Sequence, residues 1–368
     1  MRVVEEATMG MAAGSESTIN AWAMTAPGAP FERRTAPRRP PAAGEAVIEV
    51  AGCGVCHTDV SFLHQVVKTR AELPLVLGHE ISGRVVEAGE GVGTGWLGAP
   101  VVVPAVLPCG ECELCRAGAR TICRSQVMPG NDRDGGFASH VVVPARFLCR
   151  VSEKVLEGHE LWELAIVSDA VTTPFQAIRR AGLAAGDLAV FVGAGGIGIH
   201  GVQIAAAAGA KVIALDVNPA KLEVALASGA SAAVNVSGLA MKDLLKQVRS
   251  EAEKIGAPKH RWKIFETSGT RPGQETAFGL MGFGAVIAIV GFTMDRLEVR
   301  LSNLMAFDAT LSGNWGCDPV LYPEVLDWIG AGRIRISPFV EKHPLAEINR
   351  VFGAAHRGEL LKRAVLVP

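Results

Sequence analysis

Residues 54–59, with the sequence GVCHTD, place a thiol, an imidazole, a hydroxyl and a carboxylate in four consecutive positions. Groups of these types can hold a metal ion and move a proton. A second imidazole and a further carboxylate follow at His79 and Glu80. Zinc is the metal that most often takes mixed Cys and His ligands. A Cys-His pair alone is more often a buried thiol beside a surface imidazole, so a zinc site needs support from the rest of the chain.

Four of the eight cysteines fall within fifteen residues. They are Cys109, Cys112, Cys115 and Cys123. Pro108 and Gly110 favour a loop, and four thiolates can close tetrahedrally on one zinc ion without leaving an open position. The pattern predicts a structural zinc site, with an iron–sulfur cluster or unligated thiols as alternatives. Three other cysteines lack partners at ligand spacing and are predicted to be buried apolar residues: Cys53, Cys149 and Cys317.

A glycine-rich turn follows an apolar strand predicted at 188–192 and precedes an Ala-rich helix. The residues predicted to line a dinucleotide are Gly193, Gly195, Gly196, Ile197 and Gly198. Glycines let the backbone approach a pyrophosphate, and Asp216, at the end of the next strand, can accept hydrogen bonds from the adenosine ribose. A carboxylate there repels a 2′-phosphate, so NAD is favoured over NADP. The alternative is a turn that only packs a helix on a sheet.

Composition and charge argue against several classes of protein. The formal net charge of the 368 residues is −1, whereas nucleic-acid binding requires clustered Lys and Arg. The uncharged run at 188–210 contains six glycines and a strand-turn-helix pattern, which a membrane span would not need. The start of the chain carries Glu5 and Glu6 and no visible secretory signal. We therefore predict a cytoplasmic protein with neither nucleic acid nor membrane as a partner.

The first half of the chain has a β-rich pattern. Residues 1–18 show no sustained period and are predicted to be a loose extension. From Ile19, short β-branched runs are separated by Gly and Pro, which predicts a small barrel or sandwich. These runs lie at 46–50, 81–86, 101–103 and 139–143.

The pattern changes near residue 160, where apolar strands begin to alternate with helical stretches. Later strands are predicted at 262–265 and 285–290, with a polar helix at 239–256 between two of the strands. Such alternation is typical of a doubly wound parallel sheet covered by helices. The last sixty residues return to turns, a helix and a strand, and are predicted to rejoin the first domain. The predicted fold class is therefore α/β, with two domains.

The motifs GVCHTD, GHE, the four-cysteine loop and GAGGIG follow one another from about residue 20 onward. In this order and spacing the sequence resembles the zinc-dependent medium-chain alcohol dehydrogenases. The resemblance implies a GroES-like catalytic domain at 19–165 and 310–368, and a Rossmann NAD-binding domain at 166–309. It also implies an oxidoreductase with NAD, one catalytic and one structural zinc ion per chain, and a dimer or tetramer of identical chains.

By position, Cys56 and His79 match the family's first two catalytic zinc ligands, and Asp169 matches the third. The family usually has Cys or Glu at the third position. An aspartate is a harder ligand than a thiolate, which would leave the metal more Lewis-acidic. The resemblance further implies that Glu80 competes for the metal when substrate is absent, and that Asp59 orients the ligand imidazole.

Thr58 matches the family's hydroxyl that binds the substrate oxygen and passes on its proton. A histidine often stands three residues later in the family, but this chain has Ser61 there, so the resemblance leaves the proton's exit open. The cofactor contacts implied by position are His57 and Arg363 at the pyrophosphate, Thr173 at the nicotinamide, and Lys221 beside Asp216 at the ribose.

Long segments resemble one group within the family, the 6-hydroxycyclohex-1-ene-1-carbonyl-CoA dehydrogenases of anaerobic aromatic degradation. These segments are HEISGRVVEAG at 79–89, SQVMPGNDRDGGFASHVVVPAR at 125–146, DAVTTPFQA at 169–177, and VGFTMD, VRLSNLMAF and GNWGC between 290 and 317. The narrower resemblance implies oxidation of a ring alcohol to a conjugated ketone on a CoA thioester, with zinc-promoted water addition to that enone as a side activity. Residues Lys68, Arg70, Arg296 and Arg300 are candidates for the CoA phosphates by charge only.

The sequence leaves three other interpretations. An NAD-dependent dehydrogenase of simple alicyclic or aromatic alcohols is the alternative within the enzyme class. A binding protein that keeps the fold without turnover is disfavoured by the intact ligand set. A zinc-ribbon nucleic-acid module would need basic and aromatic surroundings, whereas Glu111 and Glu113 lie inside the four-cysteine loop.

Overall fold

The computed structural model describes residues 18–368. The predicted N-terminal extension therefore lies outside the described residues, except for Thr18, which begins the first strand. Three sheets are present in the described chain: a three-stranded sheet, a seven-stranded sheet and a six-stranded sheet.

The three-stranded and seven-stranded sheets form the β-rich part of the molecule. Their strands are β1 (Thr18–Met24), β2 (Glu32–Pro37), β3 (Glu45–Gly54), β4 (Leu75–Val76), β5 (Glu80–Ala88), β6 (Pro100–Val103), β7 (His140–Pro144), β8 (Cys149–Arg150), β15 (Val340–Pro344) and β16 (Arg363–Val367). The small sheet has the order β2-β1-β4, and the larger one the order β15-β16-β3-β5-β6-β8, with β7 also paired to β3. Strand β3 is central, and its Val47 and Ile48 are fully buried.

The six-stranded sheet is parallel throughout. Its strands are β9 (Leu188–Val192), β10 (Lys211–Asp216), β11 (Ala232–Asn235), β12 (Lys263–Glu266), β13 (Val286–Ile289) and β14 (Thr310–Gly313), in the order β11-β10-β9-β12-β13-β14. From β9 the strand order proceeds outward through β10 and β11 on one side, and through β12, β13 and β14 on the other. In sheets of this kind, dinucleotides bind in the crevice where the two halves meet, here between β9 and β12. Strands β12 and β13 lie within one residue of the two that were predicted.

One predicted boundary needs correction. The sequence predicts that residues from 310 onward belong to the first domain, but β14 pairs with β13 and is the edge strand of the parallel sheet. The strand has only four residues and three of them are exposed, so it lacks the apolar run by which the earlier strands are recognised. Strands β15 and β16 do join the sheet of β3.

Eleven α-helices occur in residues 18–368. They are α1 (His57–Leu63), α2 (Glu113–Arg116), α3 (Glu153–Leu156), α4 (Thr172–Arg180), α5 (Gly198–Ala207), α6 (Pro219–Ala227), α7 (Met241–Lys254), α8 (Arg271–Gly279), α9 (Ser302–Phe307), α10 (Tyr322–Gly330) and α11 (Ile348–His356). Helix α7 lies within the polar stretch predicted at 239–256. Among the described helices, none has the length and apolarity needed to cross a membrane.

Candidate active site and metal centres

Strand pairing brings the separated metal-ligand motifs together. In the antiparallel pair β3–β5, Gly54 lies opposite Glu80, so the chain leaving β3 and the chain entering β5 meet at one end of the sheet. Cys56 follows β3 by two residues, and His79 immediately precedes β5. On the other side of β3, Val365 of β16 lies opposite Gly54, which brings Arg363 to the same end.

The three predicted catalytic ligands form one cluster. The Sγ atom of Cys56 lies 3.4 Å from Oδ2 of Asp169, and Nε2 of His79 lies 3.8 Å from the same oxygen. Ligands at zinc-bond lengths in a tetrahedron are about 3.3–3.8 Å apart, so this spacing fits a zinc ion. Glu80 belongs to the same group, and all four donor atoms lie within 4.8 Å of one another.

Asp59 holds the cluster's first two residues in place. Its carboxylate accepts hydrogen bonds from the backbone N–H groups of Cys56 and Gly78, each at 3.1 Å, and Nδ1 of His79 lies 3.2 Å from Oδ1. Burial alone would lower the pKa of His79, but the charge of Asp59 and hydrogen bonds to carboxylates, Asp169 included, raise it well above its usual value. Because Nδ1 faces Asp59, Nε2 is the imidazole nitrogen available to a metal.

Asp169 is held from both sides. Thr173 Oγ1 donates a hydrogen bond of 2.6 Å to Oδ1, which leaves Oδ2 directed at Cys56 and His79. Burial would raise the pKa of Asp169, but hydrogen bonding and the charge of His79 lower it below its usual range. The carboxyl is therefore held in the ionised form that can ligate a cation.

Glu80 and Arg363 form a buried ion pair beside the cluster. Arg363 Nη2 donates to Glu80 Oε1 at 2.9 Å, and Nη1 donates to the Val55 carbonyl at 3.2 Å. The other oxygen, Oε2, is buried without a hydrogen-bond partner in the described chain. Burial raises the pKa of Glu80 to about 7, although the charge of Arg363 opposes the rise. An unpartnered carboxylate oxygen within the ligand group again fits a cation.

Two hydroxyl-bearing residues lie on α1, which begins directly after Cys56. Thr58 is half-buried and follows Cys56 by two residues, while Ser61 is half-buried one turn further on. His57 between Cys56 and Thr58 is exposed. Neighbouring groups still partly desolvate its imidazole, and this desolvation, with the positive charges of Arg363 and Lys221, lowers the pKa of His57. These three predicted cofactor contacts are therefore close enough to interact electrostatically.

The glycine turn joins β9 to α5 as predicted. Gly193 has a φ of +99°, and a Cβ on Gly198 would lie 1.9 Å from the Gly193 carbonyl oxygen, so neither position accepts a side chain. A Cβ on Gly196 would lie 3.7 Å from Cζ of Arg363. The buried arginine therefore bridges the glycine turn and the metal cluster.

Asp216 lies at the end of β10 and is buried. Its two oxygens accept hydrogen bonds from the backbone N–H groups of Ala194 at 2.8 Å and Asn218 at 2.9 Å. The carboxylate thus ties the glycine turn to the start of α6, and its remaining lone pairs stay available for ribose hydroxyls. Lys221, which lies in the first turns of α6, is exposed.

The four clustered cysteines form a second compact group. The sulfur of Cys109 lies 3.9 Å from that of Cys115 and 3.6 Å from that of Cys123, and the sulfurs of Cys112 and Cys123 are 3.7 Å apart. Four sulfurs bonded tetrahedrally to one zinc ion would be about 3.8 Å apart. The spacing fits a closed zinc site without room for a substrate.

The thiols of this lobe differ in their surroundings. Hydrogen bonds from the backbone N–H groups of Glu111 and Cys112 lower the pKa of Cys109 to about 6, which favours a thiolate. Burial raises the pKa of Cys115 to about 12, so a bound cation would be needed to ionise it. The remaining cysteines, Cys53, Cys149 and Cys317, are buried as predicted.

The structure adds positioning residues that the motifs do not contain. Ser168 Oγ donates to the Ile81 carbonyl and accepts from the Ile81 N–H, both at 3.1 Å, which fixes the segment before Asp169 against β5. The hydroxyl of Tyr322 donates to the Ser168 carbonyl from α10. Tyr322 is the only tyrosine of the chain and is fully buried. The only sign of its importance in the sequence is that tyrosine occurs once in the chain.

Comparison with known proteins places this site in a family. Residues 42–153 match the model of the alcohol dehydrogenase GroES-like domain, and residues 196–331 match that of the zinc-binding dehydrogenases. An alcohol dehydrogenase of Geobacillus stearothermophilus is 30% identical over 88% of this chain and 91% of its own length. A 2-dehydro-3-deoxy-L-galactonate 5-dehydrogenase of Pseudoalteromonas atlantica is 31% identical over 85% and 88%, respectively.

Solved structures agree with the sequence comparisons. The alcohol dehydrogenase of the hyperthermophilic archaeon Aeropyrum pernix superimposes with a TM-score of 0.84 at 28% identity, covering 95% of this chain and all of that one. The chain belongs to the zinc-dependent medium-chain alcohol dehydrogenase family. It is a dehydrogenase that uses zinc and a nicotinamide dinucleotide, and the predicted two-domain α/β fold class is confirmed.

Proposed function

We propose that the enzyme oxidises the ring alcohol of 6-hydroxycyclohex-1-ene-1-carbonyl-CoA to the 6-oxo enone with NAD, in anaerobic aromatic (benzoyl-CoA) degradation. The observation that supports this substrate is the convergence of the segments that carry the narrower resemblance. Segment 79–89 supplies His79 and Glu80, and segment 169–177 supplies Asp169 and Thr173. Segments that carry the narrower resemblance thus lie around the metal cluster, where the alcohol would be held, although His79 and Glu80 themselves are shared with the wider family.

Two of the other segments reach the same place through contacts with the backbone. Gly136 of segment 125–146 donates its N–H to the Gly78 carbonyl at 2.8 Å. Asn314 of the GNWGC segment donates to the Thr173 carbonyl at 3.2 Å. These contacts put both segments beside the residues that hold the cluster.

In the mechanism we propose, the chain's own residues position the alcohol and move its proton. When bound, zinc supplies Lewis acidity through Cys56, His79 and Asp169, and NAD accepts the hydride. The Thr58 hydroxyl accepts the alcohol proton and donates its own outward, while Asp59 keeps the His79 imidazole oriented. Thr173 holds the Asp169 carboxylate in its ligating orientation.

Thr58 gives the first testable consequence. Thr58→Val keeps the shape of the side chain but removes the hydroxyl, so we expect kcat to fall about 100- to 10,000-fold, the range typical of a lost proton-transfer group. Thr58→Ser, which restores the hydroxyl, should retain most of the activity. Steady-state NADH formation measures both, and a Val variant as active as the Ser variant would exclude the relay.

The cofactor preference gives a second testable consequence. We propose that Asp216 selects NAD, because its carboxylate repels a 2′-phosphate. Replacing Asp216 with Ser and its exposed neighbour Val217 with Arg should raise the ratio of kcat/KM for NADP to that for NAD by about 100-fold, or roughly 3 kcal/mol.

A matched variant separates charge from hydrogen bonding in that experiment. Asp216→Asn keeps a side-chain oxygen for the Ala194 N–H but removes the charge, so it should show only part of the shift. Wild-type enzyme that already uses NADP as well as NAD would contradict the assignment of Asp216 to the ribose.

The substrate is tested by comparing three alcohols with the same ring chemistry. NAD reduction should be fast with the cyclic hydroxy-enoyl-CoA and slow with its free acid and with a simple cyclohexenol. Equal rates with all three, or a preference for the simple alcohol, would favour the alternative, an NAD-dependent dehydrogenase of simple alicyclic or aromatic alcohols.

A further proposed activity at this site is the addition of water to the enone product. The ring double bond is conjugated with both carbonyl groups, so a Lewis-acidic site would promote attack of water at the β-carbon. Ser61, smaller than the histidine often found there, leaves more space beside the relay. We expect the enone-CoA, incubated with enzyme and without NADH, to gain the mass of one water. A gain that persists after Cys56→Ala would exclude the metal cluster as its site.

We also propose that the enzyme works as a dimer or tetramer in the cytoplasm. Strand β14 is an open sheet edge, and the segment that leads to it from β13 carries three large apolar side chains that are mostly exposed: Met294 at 66%, Leu301 at 65% and Met305 at 79%. An edge of this kind is suited to pairing with a second copy. None of the eight cysteines is in a disulfide, as is typical of a reducing compartment.

We propose that the domains divide as the family resemblance implied, apart from the boundary corrected above. Residues 19–165 together with the C-terminal strands β15 and β16 then carry the metal ligands other than Asp169, and the part from 166 through β14 carries Asp169 and the dinucleotide. The small molecule partner is the CoA thioester.

A further inference from the structure

An open cavity of about 350 Å³ lies between the four-cysteine lobe and two other segments of the chain. Its walls include Ile122, Arg124 and Gln126 of the lobe, Arg70 from the loop that follows α1, and Trp315 from the segment after β14. None of the lining residues belongs to the glycine turn or to α6, so the cavity is separate from the proposed dinucleotide site.

A short series of contacts connects the cavity to the metal cluster. Asp169 is bonded to Thr173, and the Thr173 carbonyl accepts from the side chain of Asn314, whose next residue is Trp315. The backbone of Arg70, another lining residue, is held by a hydrogen bond of 3.1 Å from its N–H to Asn131 Oδ1. A substrate that is held at the cluster and extends past Asn314 would therefore enter this cavity.

The groups that line the cavity suit a phosphate-bearing nucleotide. Arg124 is exposed, and Arg70, whose side chain is 56% exposed, shares one guanidinium nitrogen with Asp132 at 3.2 Å and has further N–H groups free of that contact. Planar guanidinium groups bind phosphate through paired hydrogen bonds. Trp315 is 49% exposed, and an indole of this kind can stack on a purine base.

Gln126 adds a polar feature to the same wall. Its Oε1 atom is enclosed and meets no hydrogen-bond donor in the described part of the chain. An acceptor without a partner suits a ligand that carries N–H groups, such as the amides of a pantetheine arm or the amine of adenine. An uncharged ring alone would use neither this acceptor nor two guanidinium groups.

We propose that the cavity between Arg70, Arg124 and Trp315 binds the phosphate-bearing nucleotide end of the CoA thioester, an inference that rests on the proposed function. The two arginines contact the phosphates, and Trp315 stacks on the adenine. The ring and its thioester then extend past Asn314 to the metal cluster.

The experiment compares the CoA thioester with the matching pantetheine thioester, which has the same ring and arm but lacks the nucleotide. The measured quantity is the ratio of the two kcat/KM values for the zinc-loaded enzyme with NAD. We expect wild-type enzyme to prefer the CoA thioester at least about 30-fold, since each charge-assisted contact contributes roughly a factor of ten. Arg70→Gln/Arg124→Gln should lower the ratio at least about tenfold, through KM rather than kcat, and leave the part of the preference that stacking on Trp315 supplies.

A matched control is Arg116→Gln. Arg116 is an exposed arginine of the same lobe that does not line the cavity, so its removal should leave the ratio unchanged. If added salt also lowers the wild-type ratio, charge attraction is the cause. Zinc content of two per chain in each variant shows that the fold is intact.

The possible outcomes separate the cavity from the proposed function. A wild-type preference for the CoA thioester that survives undiminished in the double arginine variant would overturn the cavity and leave the function standing. A wild-type ratio near one would overturn the nucleotide contact altogether. Wild-type enzyme that oxidises a simple ring alcohol but neither thioester would overturn the proposed substrate and the cavity with it.

Discussion

Replacing Cys56 with alanine is expected to abolish NAD reduction and to lower the zinc content from two ions per chain to one. Loss of Lewis acidity removes several kcal/mol of transition-state stabilisation, so kcat should fall by more than about a thousandfold. The fold should survive, because the variant truncates one side chain at the edge of the β3–β5 pair. Zinc analysis, steady-state kinetics and the thermal unfolding midpoint measure the three effects.

The matched control for that variant is Cys53→Ala, which removes a buried thiol three residues earlier that is not in the ligand group. It should keep both zinc ions and most of the activity. A Cys56→Ala enzyme that keeps two zinc ions, or that reduces NAD at the wild-type rate, would exclude Cys56 as a catalytic ligand.

The second large effect concerns the closed zinc site. Cys112→Ser should lose the structural zinc and reduce the free energy of unfolding by about 4 kcal/mol, because zinc binding to such a lobe contributes directly to folding. A chelator should remove the catalytic zinc from wild-type enzyme first, since three protein ligands leave an open position and four cysteines do not. Activity should disappear while the fold remains.

Cys149→Ala is the control for the lobe, because Cys149 is a buried thiol outside both ligand groups. It should keep two zinc ions and reduce the free energy of unfolding by about 1 kcal/mol, the order expected for one deleted heavy atom. Equal destabilisation by Cys112→Ser and Cys149→Ala would indicate that the lobe is held by packing rather than by a metal.

The motifs were predictable from the sequence because each is local. Cys56 and Thr58 lie within three residues of each other, the glycines of the dinucleotide turn are nearly contiguous, and the four cysteines share one loop. In each case one short segment supplies most of the functional residues, so its residue types are enough to predict the chemistry.

The parts that could not be predicted depend on contacts between distant residues. Ser168 fixes the segment before Asp169 by bonding Ile81, 87 residues away, and the hydroxyl of Tyr322 donates to the Ser168 carbonyl from 154 residues away. Strand β14 could not be predicted from the sequence for a related reason. Its pairing with β13, rather than any apolar pattern of its own, makes it a strand.

Asp216 illustrates a third case. The sequence placed a carboxylate at the end of β10, where it can bind a ribose, but did not show that both oxygens already accept backbone hydrogen bonds. The residue therefore supports the glycine turn as well, and this is why the Asp216→Asn control is needed beside the cofactor switch.

Anomalous X-ray scattering at the zinc edge, from crystals of the enzyme as purified, tests the metal assignment most directly. We expect two peaks per chain. One should lie within about 2.0–2.3 Å of Cys56 Sγ, His79 Nε2 and an Asp169 oxygen, and the other at the centre of the four lobe cysteines. A single peak in the lobe, or a catalytic peak bonded to Glu80 with Asp169 turned away, would contradict the ligand set on which the proposed reaction depends.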